Sequence, residues 1–161
     1  MLSRIDGPSA FPGIQETQSS FQYEQERDRV ASLTSRIVRD RIFRRVVLRA
    51  YDARCAITSL KLINGLGRAE VEAAHIRPVE ENGPDIVSNG LALSGTAHWM
   101  FDRGLISIAD NHDILISRHV NDEAGARSII NKTGRILTPN RAADHPHPHF
   151  LRWHRENRFK V

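Results

Sequence analysis

The segment Glu72-Ala73-Ala74-His75-Ile76-Arg77-Pro78, followed by Asn89-Gly90-Leu91-Ala92-Leu93 and then His98-Trp99-Met100-Phe101-Asp102-Arg103-Gly104, decides the fold of this chain. Val71 to Ile76 is apolar enough to form a strand, and Pro78 stops it because proline has no N–H for a ladder. Glu80 to Ser88 is a polar loop punctuated by Gly83-Pro84. Leu91-Ala92-Leu93 is a short returning strand. Ser94 stands where an N-cap belongs, so Thr96 to Arg103 is expected to be helical and to end at Gly104. The result is a strand–loop–strand–helix unit. On its helix His98 and Asp102 are four residues apart and share a face. His75 ends the first strand, and Asn89 precedes the second.

Outward from this unit the chain changes character. Residues 1 to about 20 are rich in Gly, Pro, Ser, Thr and Gln without any period, which predicts a flexible arm over 1–20 and a folded domain over 21–161. Residues 22 to 52 predict a helix. Phe43, Val46, Val47 and Ala50 form one buried stripe, and Arg41, Arg45 and Arg49 lie four apart on another face. That basic face is either solvated, with Glu24, Glu26, Asp28 and Asp40 offsetting it, or a ridge for phosphate contacts. Leu105–Ala109 and Ile114–Ser117 predict a hairpin. Asn121 is expected to cap a helix over 122–132, and residues 146–158 predict a last helix carrying Phe150, Leu151 and Trp153. The class is therefore α+β, with helices at both ends of the chain.

The bulk numbers narrow the function. The chain has 161 residues, 40% of them hydrophobic and 26% charged, and a net charge of +4. A basic balance favours an anionic partner, of which nucleic acid is the commonest. One cysteine, Cys55, builds neither a disulfide framework nor a four-thiol zinc site. No apolar run approaches the roughly 20 residues that cross a bilayer, so no membrane association is expected. Nor does the start have the apolar core of a signal peptide, and the expected location is the cytoplasm.

Phosphodiester hydrolysis needs a base for water, a cation near the scissile phosphate and a scaffold that aims the base. Imidazole ordinarily titrates near pH 6.5 and serves as a base at neutral pH. An imidazole and a carboxylate at i and i+4 can hold a divalent ion, which acts on the leaving oxygen as a Lewis acid.

The segments His75-Ile76-x-Pro78, Asn89-Gly90-Leu91 and His98-x-x-x-Asp102 resemble the three parts of an HNH endonuclease motif. The flanking phrases Phe43-Arg44-Arg45-x-Val47-Leu48-x-Ala50-Tyr51, Arg54-Cys55-Ala56-Ile57-Thr58, Phe101-Asp102-Arg103-Gly104-Leu105 and Leu151-x-Trp153-His154-Arg155-Glu156 are similar to a restriction-endonuclease-like subgroup. The resemblance spans roughly residues 40 to 159 and implies a ββα-metal (His-Me finger) core. It makes His75 the general base, Asn89 the asparagine that ties the loop, and His98 and Asp102 the ligands of one divalent ion: magnesium, manganese, nickel or, as a further candidate, zinc. DNA is the implied partner and restriction or defence the implied biology. A homodimer is the simplest way for a one-site enzyme to cut both strands.

Two places depart from the family pattern. Many relatives have a ligand directly before the base, where this chain has Ala74. Glu72 is on the same strand face about 6 to 7 Å away, and is read either as a ligand or as a salt-bridge partner of Arg68 or Arg77. Paired Cys-x-x-Cys zinc staples are also missing. Their places read Cys55-Ala56-Ile57-Thr58 and Ser94-Gly95-Thr96-Ala97, so no structural zinc is expected, and Val47, Ile57, Leu91, Leu93 and Leu105 are to hold the finger by packing. Arg45, Arg77 and Arg103 are candidate phosphate contacts. The alternative is a non-catalytic DNA-binding module that has kept a degenerate finger. A third reading is an RNA-directed nuclease or a toxin-like effector, because such a site reads backbone and not base.

Overall fold

A computed structural model describes residues 16–161, with side chains from residue 24 onward. The first fifteen residues of the expected arm lie outside the described residues. The chain divides into two units, Met1–Val38 and Arg39–Val161. Helix α1 is Glu16–Ala50, so helix begins ahead of the sequence-based start at residue 22. Its described side chains in the first unit, residues 24–38, are all exposed.

The second unit holds the rest of α1 and every other element. Strand β1 (Glu72–His75) pairs antiparallel with β2 (Gly90–Leu93), with Glu72 opposite Leu93 and His75 opposite Gly90. Helix α2 (Gly95–Asp102) follows and packs on both strands. A second ribbon, β3 (Ile106–Ile108) with β4 (Ile114–Ile116), forms the expected hairpin. Helices α3 (Glu123–Ile129) and α4 (Pro148–Asn157) complete the α+β unit. Helix α3 is shorter than the sequence predicted, and its cap is Asp122 rather than Asn121. The Asp122 carboxylate accepts from the Gly125 N–H at 2.8 Å, a bond that Asn121 is one residue too early to make.

The finger is held by apolar packing. Phe43 and Val47 bury one face of α1, and Tyr51, four residues further on and just past the helix end, continues it, while Val46 and Ala50 are only half-buried. Val47, Ile57, Leu91 and Leu93 are fully buried, and Leu105 packs at the edge of the core. Gly90 is needed where α1 crosses β2: a Cβ there would meet the Val47 side chain at 2.6 Å and the Phe43 ring at 3.1 Å. Cys55 is buried. Its sulfur accepts N–H bonds from Thr58 at 3.4 Å and Ser94 at 3.3 Å, tying together the segments 55–58 and 94–97.

Helix α4 clamps the second ribbon. Pro148 starts it at a position where no N–H is needed, and the His147 ring accepts from the His149 N–H at 3.1 Å. Arg155 donates to the Ile108 carbonyl and to the Asp110 carboxylate, each at 2.7 Å. His154 is buried, stacked on Phe101 with ring centroids 3.7 Å apart. It accepts from the Ser107 hydroxyl at Nδ1 (2.8 Å) and donates from Nε2 to the Phe101 carbonyl (3.0 Å). Burial pulls its pKa down to about 4; Arg158 and Arg155 act in the same direction, and the Phe101 bond opposes them. Between about pH 6.5 and 4 the unfolded chain therefore binds more protons than the folded one. The stabilisation is complete above about 6.5 and is lost as the pH falls toward 4, by about 3 kcal/mol. Thermal melts of the parent should show this loss, and His154→Gln should melt lower at pH 7 with a flatter pH dependence. An equally steep dependence in the variant would remove His154 as its source.

Candidate active site

The strand–loop–strand–helix unit sets out the candidate residues. Cross-strand partners point to the same face, so His75 shares the face of Gly90, against α1. There the Phe43 ring stacks on the imidazole, with centroids 3.8 Å apart and planes 7° from parallel. The other edge of the imidazole meets Asp85, with Nε2 2.8 Å from Oδ1. Both side chains are mostly covered, 19% and 26% exposed.

Asp85 belongs to the loop between the strands. Asn89, fully buried, closes that loop: its side-chain oxygen accepts from the Arg77 N–H at 2.9 Å, and its amide donates to the carbonyls of Arg77 (3.0 Å) and Pro84 (2.9 Å). The Asn89 carbonyl also accepts from the Ile76 N–H at 2.9 Å. Gly83 lets the chain double back, since a Cβ there would lie 1.8 Å from the Arg77 carbonyl oxygen.

His98 and Asp102 project from one side of α2, with His98 Nε2 3.4 Å from Asp102 Oδ2. On the other side of the ring, Nδ1 is 3.6 Å from Glu72 Oε2. Glu72 thus meets His98 rather than Arg68 or Arg77. The three side chains form a row with the imidazole in the middle and each carboxylate on its own nitrogen. Among the described residues no group of three or more His, Cys, Asp or Glu side chains is arranged to hold a single metal ion. The Asp102 end of the row opens into a cleft of about 310 Å³ that His75, Pro78, Glu80 and Arg158 also line. The Glu72 end opens into a separate groove with Arg44 and Arg68. A larger cavity of about 990 Å³ near Thr58 and Lys132 has no candidate catalytic residue in its wall.

The arginines expected to touch phosphate are distributed around this unit. Arg45 is exposed on α1. The guanidinium of Arg77 is 5.7 Å from the centroid of Trp153, and that of Arg103 is 5.5 Å from Trp99. Arg158 packs on the same ring as Arg77, its guanidinium 5.8 Å from the centroid of Trp153, and unlike these three it lines the cleft itself. Sequence reasoning missed Arg158 and Asp85. Asp85 offered one signal, an acid in the loop joining the histidine strand to the asparagine. Arg158 offered none, because its place depends on how α4 docks.

Residues 55–109 match a family model described as HNH endonuclease. No curated protein sequence matches the chain. Among solved structures, the modification dependent TagI restriction endonuclease superposes with a TM-score of 0.52 at 24% sequence identity, over 70% of this chain and 36% of that one. The likeness is one of fold, and the chain spans about a third of that enzyme's length. No helix among the described residues is long and apolar enough to cross a membrane.

Proposed function

We propose that the HNH endonuclease segment at residues 55–109 makes this chain a metal-dependent nuclease that hydrolyses DNA phosphodiester bonds, with His75 as general base. The observation that carries this reading is the cleft that His75 shares with Asp102 and Arg158. A base, a candidate metal ligand and a guanidinium open onto one space wide enough for a phosphate and its attacking water.

The donor set fits one divalent ion at His98 Nε2 and Asp102. Donors 3.4 Å apart can share an ion at ordinary bond lengths of about 2.1 Å, and two protein donors suit an ion that keeps several waters. Glu72, on the opposite nitrogen, acts as the carboxylate that fixes the His98 tautomer and ring orientation, so the imidazole presents Nε2 to Asp102, which lines the cleft. When bound, the ion supplies Lewis-acid stabilisation of charge on the phosphate and leaving oxygens. His75 takes a proton from water, and Arg158 offsets phosphate charge. Phe43 and the Asn89-closed loop hold the base side of the cleft still. A restriction or defence role belongs to the same reading, with a cytoplasmic location. A homodimer would allow both strands to be cut.

The test is nicking of supercoiled plasmid in magnesium, manganese or nickel. The parent should nick, chelation by EDTA should stop it, and His98→Ala should lose at least about 100-fold while keeping its circular dichroism spectrum. DNA retention in a gel with no metal-dependent cutting would favour the binding-module alternative. Undiminished cutting by His98→Ala would remove His98 as a ligand.

A further inference from the structure

We infer that Asp85 is a positioning residue for the base, selecting the tautomer of His75 that can accept a proton. This rests on the reading of His75 as the base. An ionised carboxylate only accepts hydrogen bonds. At 2.8 Å from Oδ1, His75 Nε2 must therefore carry the proton of that bond. In the neutral ring the lone pair then belongs to Nδ1, and Nδ1 is the nitrogen that deprotonates water.

The surroundings make this a held geometry rather than a surface encounter. The ring is stacked flat on Phe43, which fixes its plane, so swinging the side chain to bring Nδ1 to Asp85 would break the stack. Asp85 directly follows Pro84, whose carbonyl the buried Asn89 amide holds, and Gly83, whose N–H donates to the Pro78 carbonyl at 2.9 Å. The same loop closure that keeps Asn89 satisfied thus delivers the carboxylate to the imidazole. Asp85 touches neither His98 nor Asp102 within bonding distance, so its influence passes through His75 alone.

Asparagine separates a tautomer-setting role from a merely structural one. Asp85→Asn keeps the size of the side chain and a hydrogen bond, and a structural residue would tolerate it better than Asp85→Ala. The amide can, however, donate to Nε2 and push the ring proton onto Nδ1, the wrong nitrogen for a base. Asp85→Asn should therefore lower the nicking kcat about 100-fold or more, at least as severely as Asp85→Ala, with KM changed by no more than about threefold. The imidazole ¹⁵N shifts of His75 provide a readout independent of cutting. They should report the Nε2–H form in the parent and a shift toward Nδ1–H in Asp85→Asn. Parent-like kcat and ¹⁵N shifts in both variants, or an Asn variant clearly milder than Ala, would overturn the inference. Normal cutting by His75→Ala would instead overturn the reading of His75 as base, so the two failures are told apart.

Discussion

Replacing His75 with alanine is expected to reduce plasmid nicking by about a thousandfold at neutral pH, with no change in the far-ultraviolet spectrum. A positioned general base contributes roughly 10² to 10⁴ in rate, and no other described imidazole lines the cleft with a ring free to serve. His154 is there, but both its nitrogens are committed, to Ser107 and to the Phe101 carbonyl, and burial pulls its pKa down to about 4. Asp102 and Glu80 are the remaining acids in the cleft wall, and a carboxylate is a weaker general base for water than an imidazole. The fold should survive, because His75 contributes one stacked contact with Phe43 and one hydrogen bond to Asp85. Losing them costs on the order of 1–2 kcal/mol, and water can reach the vacated Asp85. Nicking by His75→Ala within threefold of the parent would end the hydrolytic assignment of this residue. A collapsed spectrum would instead give His75 a structural role beyond what its two contacts predict.

The parts of this site that sequence made legible are those governed by local geometry. An i, i+4 spacing places His98 beside Asp102 on any helix, and strand alternation brings Glu72 to the face of Ala74 that looks toward α2, which is how Glu72 reaches His98. The row arrangement was not legible. Which nitrogen meets which carboxylate depends on the packing of α2 against β1, and here it gives Glu72 and Asp102 opposite sides of one ring. Asp85 lay hidden for a different reason. The sequence marks residues 80–88 as a polar loop, but where that loop returns is set by Gly83 folding under the Arg77 carbonyl and by Asn89 gathering its two ends. Phe43 was legible as a core residue of α1. Its second role, as the surface on which the base lies, needed the pairing of His75 with Gly90 and the absence of a side chain at Gly90. The true cap of α3 was obscured because Asn121 and Asp122 are both good capping residues, and only the position of Gly125 chooses between them.

Asn89→Ala is expected to lower stability by about 3 kcal/mol or more, and the melting temperature by about 10 °C, the largest stability effect of any single polar side chain in the site. Asn89 is fully buried and satisfies three backbone groups with its side chain: the N–H and carbonyl of Arg77 and the carbonyl of Pro84. Alanine leaves all three part-buried groups without that partner, and each costs roughly 1–3 kcal/mol where water cannot replace it, less where water can enter. Asn89→Asp tests the same bonds with almost no change in shape. It keeps an acceptor for the Arg77 N–H but sets a carboxylate oxygen against two carbonyl oxygens, so it should be at least as unstable at pH 7. Activity should fall with loop closure, even under conditions where most molecules remain folded, because Asp85 is held to His75 by the loop that Asn89 ties. If Asn89→Ala melted within about 2 °C of the parent, the loop would owe its shape to Gly83 and Pro84 alone. The asparagine of the motif would then need a role in the chemistry that its three backbone bonds do not supply.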